Sequence, residues 1–399
     1  MNGLWQEKKS FTAYQLMGHT WDLEERVDIM SWTDKVPLWD HHCHVLVQPK
    51  HAADLERLGR ALTEARGDYP ISDIRQTVTY QEAISVAASH LGTECDESSV
   101  QLALGSVDYE AYCRGLFLAA GYEKLLIDTG YQPPDAWEIG DLKSAMGLDM
   151  LPILRLETMA EQLIARFDHV EDWIMAVKNT VQTARTEGYV GVKSIIAYRS
   201  GLFVHPVEKE TAQAAYRAMK AGGITRLTDA DLLNYLLWSL TPTLITEGLT
   251  VQFHTGYGDP DTDLAKGNPL LLREYLERYL SEGLHVVLLH TYPFHREAGY
   301  LASVYPGVYF DVSLAVPLAA SGASRVISEA LELAPTTRFL FASDAHSRPE
   351  SFFMGAQLWR RGIDQFLDKA VKEHHVSPST AYKWASMICW SNCKALYSL

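Results

Sequence analysis

The chain has 399 residues, of which 47% are hydrophobic and 21% charged, and its formal net charge is −15 at pH 7. That balance suits a globular protein with a large core. It excludes a nucleic-acid or anionic-membrane surface, since both need clustered Lys and Arg. Five scattered cysteines make no disulfide framework and fit a reducing compartment. The leading "MNGLWQEKKSFTAYQL" lacks the apolar run of a signal peptide. The most apolar window, "LLNYLLWSL" at 232–240, is too short to span a bilayer. The expectation is a cytoplasmic protein with a small-molecule substrate and no nucleic-acid or membrane partner; homo-oligomerisation is left open.

In chain order, short runs rich in Val, Ile, Leu and Phe alternate with longer amphipathic segments. The runs lie at 36–44, 122–130, 150–157, 189–198, 249–258, 285–293, 308–315 and 338–345. Eight strand–helix units predict an α/β fold, a (β/α)8 TIM barrel forming one domain over 1–399. An open doubly wound sheet is the alternative that counting leaves standing. Residues 45–121 are too many for one crossover helix and read as a helical insertion after the first strand, capping the barrel mouth. Residues 199–248 hold two or more helices, and about fifty residues after the last run look helical. In "NPLLLREYLERYLSEG", Leu270, Leu271, Tyr275 and Tyr279 share a face, and Gly283 ends the helix.

The polar residues on these runs carry the chemistry. The first run ends in "DHHCH". Period-two alternation sends His42 and His44 to one face, where two imidazoles can share a metal. Asp40 falls on the same face one layer deeper, where it could orient a ligand imidazole, and His41 and Cys43 fall on the outer face, for packing or local hydrogen bonds. Lys193, His254, His290 and Asp344 end the fourth, fifth, sixth and eighth runs. In a barrel these ends face the active site. Unpartnered ionisable groups there would each cost about several kcal/mol, and a bound cation removes that cost. Nitrogen and carboxylate donors with an open position suit Zn2+, with Mn2+, Fe2+ or Ni2+ as alternatives. Arg199, just past the fourth run, could clamp a substrate carboxylate or serve a surface ion pair; Tyr198 beside it could help. Asp311 could support the site or a loop. His295 and Arg296 read as a loop–helix surface, His374 and His375 as a solvated helix end, and Cys389 and Cys393 as buried small hydrophobes.

The set His42-x-His44, Lys193, His254, His290 and Asp344 resembles the signature of the amidohydrolase superfamily of metal-dependent barrels. The stretches "LWDHHCHVL", "GVKSIIAYRSGL", "QFHTGYGDPDTDL" and "LFASDAHSRPE" resemble the amidohydrolase-related (type 2) family, in the branch fused elsewhere to a glutamine-synthetase-like domain. The chain ends at Leu399 with no such half, so functions needing it are not expected. The resemblance implies a divalent metal held by His42, His44 and Asp344, with His254 as a further ligand. It also implies Asp344 as proton shuttle, His290 as the residue that orients water or polarises a carbonyl, and substrate contacts from Arg199 and Tyr198. In two-metal relatives the lysine corresponding to Lys193 is carbamylated, so one ion or two remains open. The implied activity is hydrolysis of an amide or related C–N bond in a small polar metabolite, a γ-glutamyl amide by analogy. Non-oxidative decarboxylation or lactone hydrolysis is the alternative, and a non-catalytic metal-stabilised scaffold the third.

Overall fold

The computed structural model describes residues 31–399; the leading stretch read above for a signal peptide lies outside them. Seven strands pair in parallel in strict chain order: β1 Leu38–Cys43, β2 Tyr122–Asp128, β3 Asp149–Arg155, β4 Gly191–Ser194, β5 Thr250–His254, β6 Val286–Leu289 and β7 Val308–Phe310. Helices fill the crossovers that parallel neighbours require. A doubly wound sheet reverses its strand order at a switch point. This order never reverses, so the open-sheet alternative is set aside.

The eighth run differs from expectation, because residues 338–345 form no regular strand. The segment still lies between β7 and β1. Leu340 N donates to Phe310 O at 3.1 Å, His41 N to Phe341 O at 3.2 Å, Asp344 N to His42 O at 3.0 Å and His44 N to Ala345 O at 2.9 Å. A ladder fails here for two reasons. Phe341 N donates instead to Ile388 O of the C-terminal helical region, at 3.2 Å. Asp344 then takes a left-handed φ of 53°, which breaks the extended path.

Residues 45–121 hold five α-helices, Leu55–Arg60, Ile71–Ile74, Val78–Leu91, Glu97–Leu104 and Tyr109–Ala120. The last ends at Gly121, whose φ of 81° turns the chain into β2. Residues 199–248 contain Lys209–Ala221 and Ala230–Thr246. The segment around 269–283 corrects the predicted face. Pro269–Leu272 is a 3-10 turn, so the register rotates, Leu272, Tyr275, Leu276 and Tyr279 are buried, and Leu270 is exposed. Gly283 ends it with φ 100°. The C-terminal region is helical, from Pro349–Lys372 to Asn392–Tyr397. Cys389 and Cys393 are buried, as read. His295 is buried rather than superficial, because its Nε2 pairs with Glu329 at 2.8 Å.

Inside the curled sheet Leu126, Ile153, Val287, Leu289 and Leu340 pack together, and Tyr397 of the last helix closes one end. Asn392 holds that arrangement. Its Nδ2 donates to Thr336 O at 2.7 Å and Phe339 O at 2.9 Å, carbonyls that a regular strand would have satisfied. Asn392→Ala leaves both without this partner, at a cost of about 1–3 kcal/mol for buried groups. Urea unfolding should shift to lower midpoint by that amount with an unchanged slope; an unchanged midpoint would remove Asn392 from this role.

Candidate active site

The first strand explains how so many ionisable side chains meet. Pairing of β1 with β2 slips between Asp40 and Cys43, so that three residues of β1 span two of β2. Such a bulge breaks the strict alternation. It corrects the sequence reading of His41, which turns inward. His41 reaches Asp311 beyond β7, 2.9 Å from its Oδ2, and lies 3.5 Å from Gln252 on β5. Side chains on β1 and β5 can meet only across the interior. Cys43 stays outside, with Sγ against Leu126 O. Asp40 is fully buried, but it accepts from Ser343 N at 3.1 Å and His42 N at 3.2 Å. It therefore pins the 338–345 segment to β1 and orients no imidazole.

At the carboxyl ends of the strands His42, His44 and Asp344 each offer one donor atom, and these three lie within 4.8 Å of one another. Asp344 Oδ1 is 3.2 Å from His42 Nε2 and 3.4 Å from His44 Nε2, and Oδ2 is 3.5 Å from His290 Nδ1. Burial pushes the Asp344 carboxyl up, but His290, His42 and His44 outweigh it and hold it well below the usual range. His290, Thr291 and Asp344 all have positive φ, and such backbone persists where its surroundings over-determine it.

The tautomers of two histidines follow from their partners. Gln252 Nε2 donates to His41 O at 2.8 Å and to Tyr397 Oη at 2.8 Å, so its Oε1 faces His42. His42 Nδ1 lies 2.9 Å from that oxygen and donates to it, leaving Nε2 as a bare acceptor. Burial and nearby Lys193 push His42 down to about 4. Ser313 Oγ donates its single proton to Asp311 Oδ1 at 2.7 Å, so it accepts from His290 Nδ1 at 2.7 Å. Neutral His290 then presents Nε2 as an acceptor. It can hold a water, but it cannot donate to a carbonyl, which narrows the role expected for it. Burial holds His290 and His254 well below their usual values.

Lys193 places Nζ 2.9 Å from His42 Nε2 and 3.8 Å from Asp128 Oδ2. It thus uses the lone pair a metal would need. Burial lowers its pKa, opposed by Asp128 and Asp344. Arg155 Nε donates to Asp128 at 3.1 Å, and Glu157 fixes the end of β4 through Ser194 Oγ at 2.6 Å and Ile195 N at 3.0 Å.

A cavity of about 340 Å3 opens over these groups, walled among others by Lys193, Tyr198, Arg199, His254, His290 and Asp344. His254 lies outside the three-atom group; its ring packs against Tyr198 with centroids 4.1 Å apart and planes tilted by 38°. Gly258 passes so close that a Cβ there would lie 2.8 Å from His254 Nε2 and 2.4 Å from Tyr198 Oη. Arg199 is mostly buried, and Nη2 is 3.5 Å from Glu161. Five buried polar atoms of residues lining the cavity lack hydrogen-bond partners: His44 Nδ1, His254 Nε2, Asp344 Oδ1 and Arg199 Nε and Nη1. With imidazole donors of His42 and His44 and the Asp344 carboxylate within 4.8 Å of one another, the residues fit a divalent ion that would take the place of Lys193 on His42.

Sequence reasoning missed Gln252, Ser313, Asp128 and Arg155. Gln252 stands two residues before His254 on one strand, and Asp128 and Arg155 end β2 and β3. The strand-end rule that found the others could have found these. Gln252→Leu removes the acceptor that fixes His42, and divalent metal affinity should fall about 10–100-fold, measured by competitive chelator titration. Unchanged affinity would show that His42 needs no such support.

Comparison with known proteins agrees with this geometry. The amidohydrolase family model matches residues 39–399. A Lactobacillus casei ATCC 334 protein assigned as a metal-dependent hydrolase has a crystal structure that superposes with TM-score 0.87 at 40% identity, covering 92% of this chain and 96% of that one. Uronate isomerase from Thermotoga maritima shares the fold, with TM-score 0.67 at 14% identity over 92% and 95% of the two chains. Protein fluG of Emericella nidulans is 27% identical over 91% of this chain and 46% of its own length, so the chain spans about half of that curated relative. No helix among the described residues is long and apolar enough to cross a membrane. The chain belongs to the amidohydrolase-related family and is an enzyme of the amidohydrolase superfamily of metal-dependent hydrolases.

Proposed function

We propose that the enzyme hydrolyses an amide or related C–N bond of a small, polar, carboxylate-bearing metabolite in the cytoplasm. A divalent ion, zinc ahead of manganese, iron or nickel, is assigned to His42, His44 and Asp344, with His254 as a further donor. The observation that carries this reading is the convergence of three donor atoms within 4.8 Å on the wall of a cavity that also exposes Lys193 and Arg199. An ion there would supply Lewis-acid polarisation and a water acidified towards pKa ~7.

The chain's own residues divide the remaining work. Asp344, set beside His42, His44 and His290, accepts the water proton at its carboxylate and returns it to the leaving nitrogen. His290, with Nδ1–H engaged by Ser313, holds the attacking water through Nε2. Arg199, which lines the cavity and keeps Nε and Nη1 without partners, would bind the substrate carboxylate, and Tyr198 shapes the wall beside His254. Lys193, 2.9 Å from His42 Nε2, would be free to donate to the substrate carbonyl if His42 held an ion. A carbamylated Lys193 would instead be a further metal ligand, and metal stoichiometry separates the two forms. The 45–121 connection lends Arg60, Thr63, Glu64 and Ala65 to the cavity wall, which supports its reading as a cap within a single domain.

Metal analysis of purified protein, with a screen of amides, lactones and carboxylic acids before and after chelation, tests the function. Chelator-sensitive amide cleavage supports it. Lactone cleavage or CO2 release alone moves the assignment to those reactions, and no turnover with metal bound leaves a scaffold. Asp344→Asn keeps a ligand oxygen but loses the base, so turnover should drop about a hundredfold or more while much of the metal stays. His290→Asn should slow turnover without emptying a one-ion site and strip one ion from a two-ion site. Near-normal rates in metal-replete Asp344→Asn would leave Asp344 as a ligand only.

A further inference from the structure

The charged residues around the cavity divide into paired and unpaired groups once each ion pair is accounted for. Of the cations on its wall, Arg155 is engaged by Asp128, Arg226 by Asp261 at 2.9 Å, and Arg60 by Glu56 at 3.3 Å and Tyr69 O at 2.6 Å. Lys193 is held between His42 and Asp128. Arg199 alone is under-used. Its side chain is 9% exposed, it meets Glu161 only through Nη2 at 3.5 Å, and Nε and Nη1 are buried with no partner. An unsatisfied guanidinium fork in a cavity calls for a carboxylate.

The acids on the wall show the complementary gap. Asp344 is surrounded by histidines, and Asp261 lies between Arg226 and Arg66. Half-buried Glu64 and exposed Asp259 make no direct ion pair among the described residues; Lys193 acts on Glu64, and Arg226 and Arg66 on Asp259, only from a distance. The Asp259 carboxylate accepts from Asp261 N at 2.8 Å, and the Glu64 carboxyl has no hydrogen-bond partner among the described residues. Both line this cavity and the groove of about 490 Å3 that continues from it. They come from different parts of the chain, Glu64 from the 45–121 connection and Asp259 from the loop after β5. Burial and the like charges of Asp344 and Asp259 push Glu64 up to about 7. A carboxylate held in this way is relieved by a hydrogen-bonding cation. His254, 2% exposed with Nε2 unpartnered, faces the same space.

We propose that the cavity is built for a zwitterion: the substrate is an amide of an amino acid with free ammonium and carboxylate groups, the carboxylate on Arg199 and the ammonium on Glu64 and Asp259. Glu64 is then the residue that selects for the ammonium. That the zwitterion is part of an amide rests on the hydrolytic reading above; the polarity of the binding site does not.

Calorimetric titration separates the two. L-Aspartate, L-glutamate and L-norleucine, each beside its des-amino twin (succinate, glutarate, hexanoate), are titrated into metal-loaded and metal-free protein. At least one amino acid should bind about tenfold or more tighter than its twin, the scale of one hydrogen bond to a charged group. Glu64→Gln should close most of that gap while leaving the twin's affinity unchanged. Arg199→Gln should weaken both members of the pair. Circular dichroism and thermal melting establish that the variants fold. Equal affinity within every pair, or a gap that survives the Glu64→Gln, Asp259→Asn double variant, overturns the proposal. So does a divalent ion, titrated alone, whose binding is lost in Glu64→Gln, since the two acids would then be a metal site. A binding gap without turnover of any amide removes the hydrolytic reading and leaves this one standing.

Discussion

A carboxylate held against imidazoles from two other parts of the sheet is the constraint on which this molecule depends. Asp344 sits 3.2 Å from His42 and 3.4 Å from His44, and it can do so only because the segment carrying it is tied to β1. That tie is double. Backbone groups bond across at Asp344–His42 and His44–Ala345, and the buried Asp40 carboxyl grips Ser343 next to Asp344. The left-handed turn at Asp344 gives up a regular eighth strand and aims the carboxylate at the histidines. Backbone regularity is exchanged for the position of one side chain, the kind of strain that gathers at functional sites.

Beneath that cluster lies a floor of hydrogen bonds that reaches the end of the chain. Tyr397 and the His41 carbonyl orient Gln252, Gln252 sets the tautomer of His42, and His41 pairs with Asp311, which in turn organises Ser313 and His290. Three buried charges or dipoles from β1, β5 and β7 thus satisfy one another before any ligand arrives. The benefit is positional. A ligand imidazole whose second nitrogen is engaged presents its first in one direction only. The C-terminal helix belongs to the site through this chain of contacts, although it touches no donor atom of the cluster.

Above the cluster the design is different. The floor is closed and mutually satisfied, whereas the walls keep buried groups unmatched, Arg199 Nε and Nη1 and nitrogens of His44 and His254, beside the unpaired carboxyls of Glu64 and Asp259. Leaving buried polar groups without partners costs free energy. It is tolerated where a ligand supplies the missing partners, and the location of these groups marks where that ligand binds.

The residues on the strand ends could be read from the sequence because a strand puts alternate side chains on one face and a parallel barrel gathers its strand ends at one mouth. His42, His44, Lys193, His254, His290 and Asp344 follow from those two periodic facts, as does a sheet of parallel strands joined by helices. What the sequence could not convey depends on non-periodic geometry. The bulge that turns His41 inward comes from how β1 pairs with β2. The loss of the eighth strand comes from competition for Phe341 N by a helix some fifty residues later. The rotated face at 269–283 comes from a 3-10 turn at a proline. Whether Arg199 is spent on Glu161 or free to bind, and whether Glu64 has a cation beside it, are matters of distance between loops far apart in sequence. Local periodicity therefore determined which chemistry the chain carries, and only the tertiary packing decided which of those groups are satisfied and which are left open for a ligand.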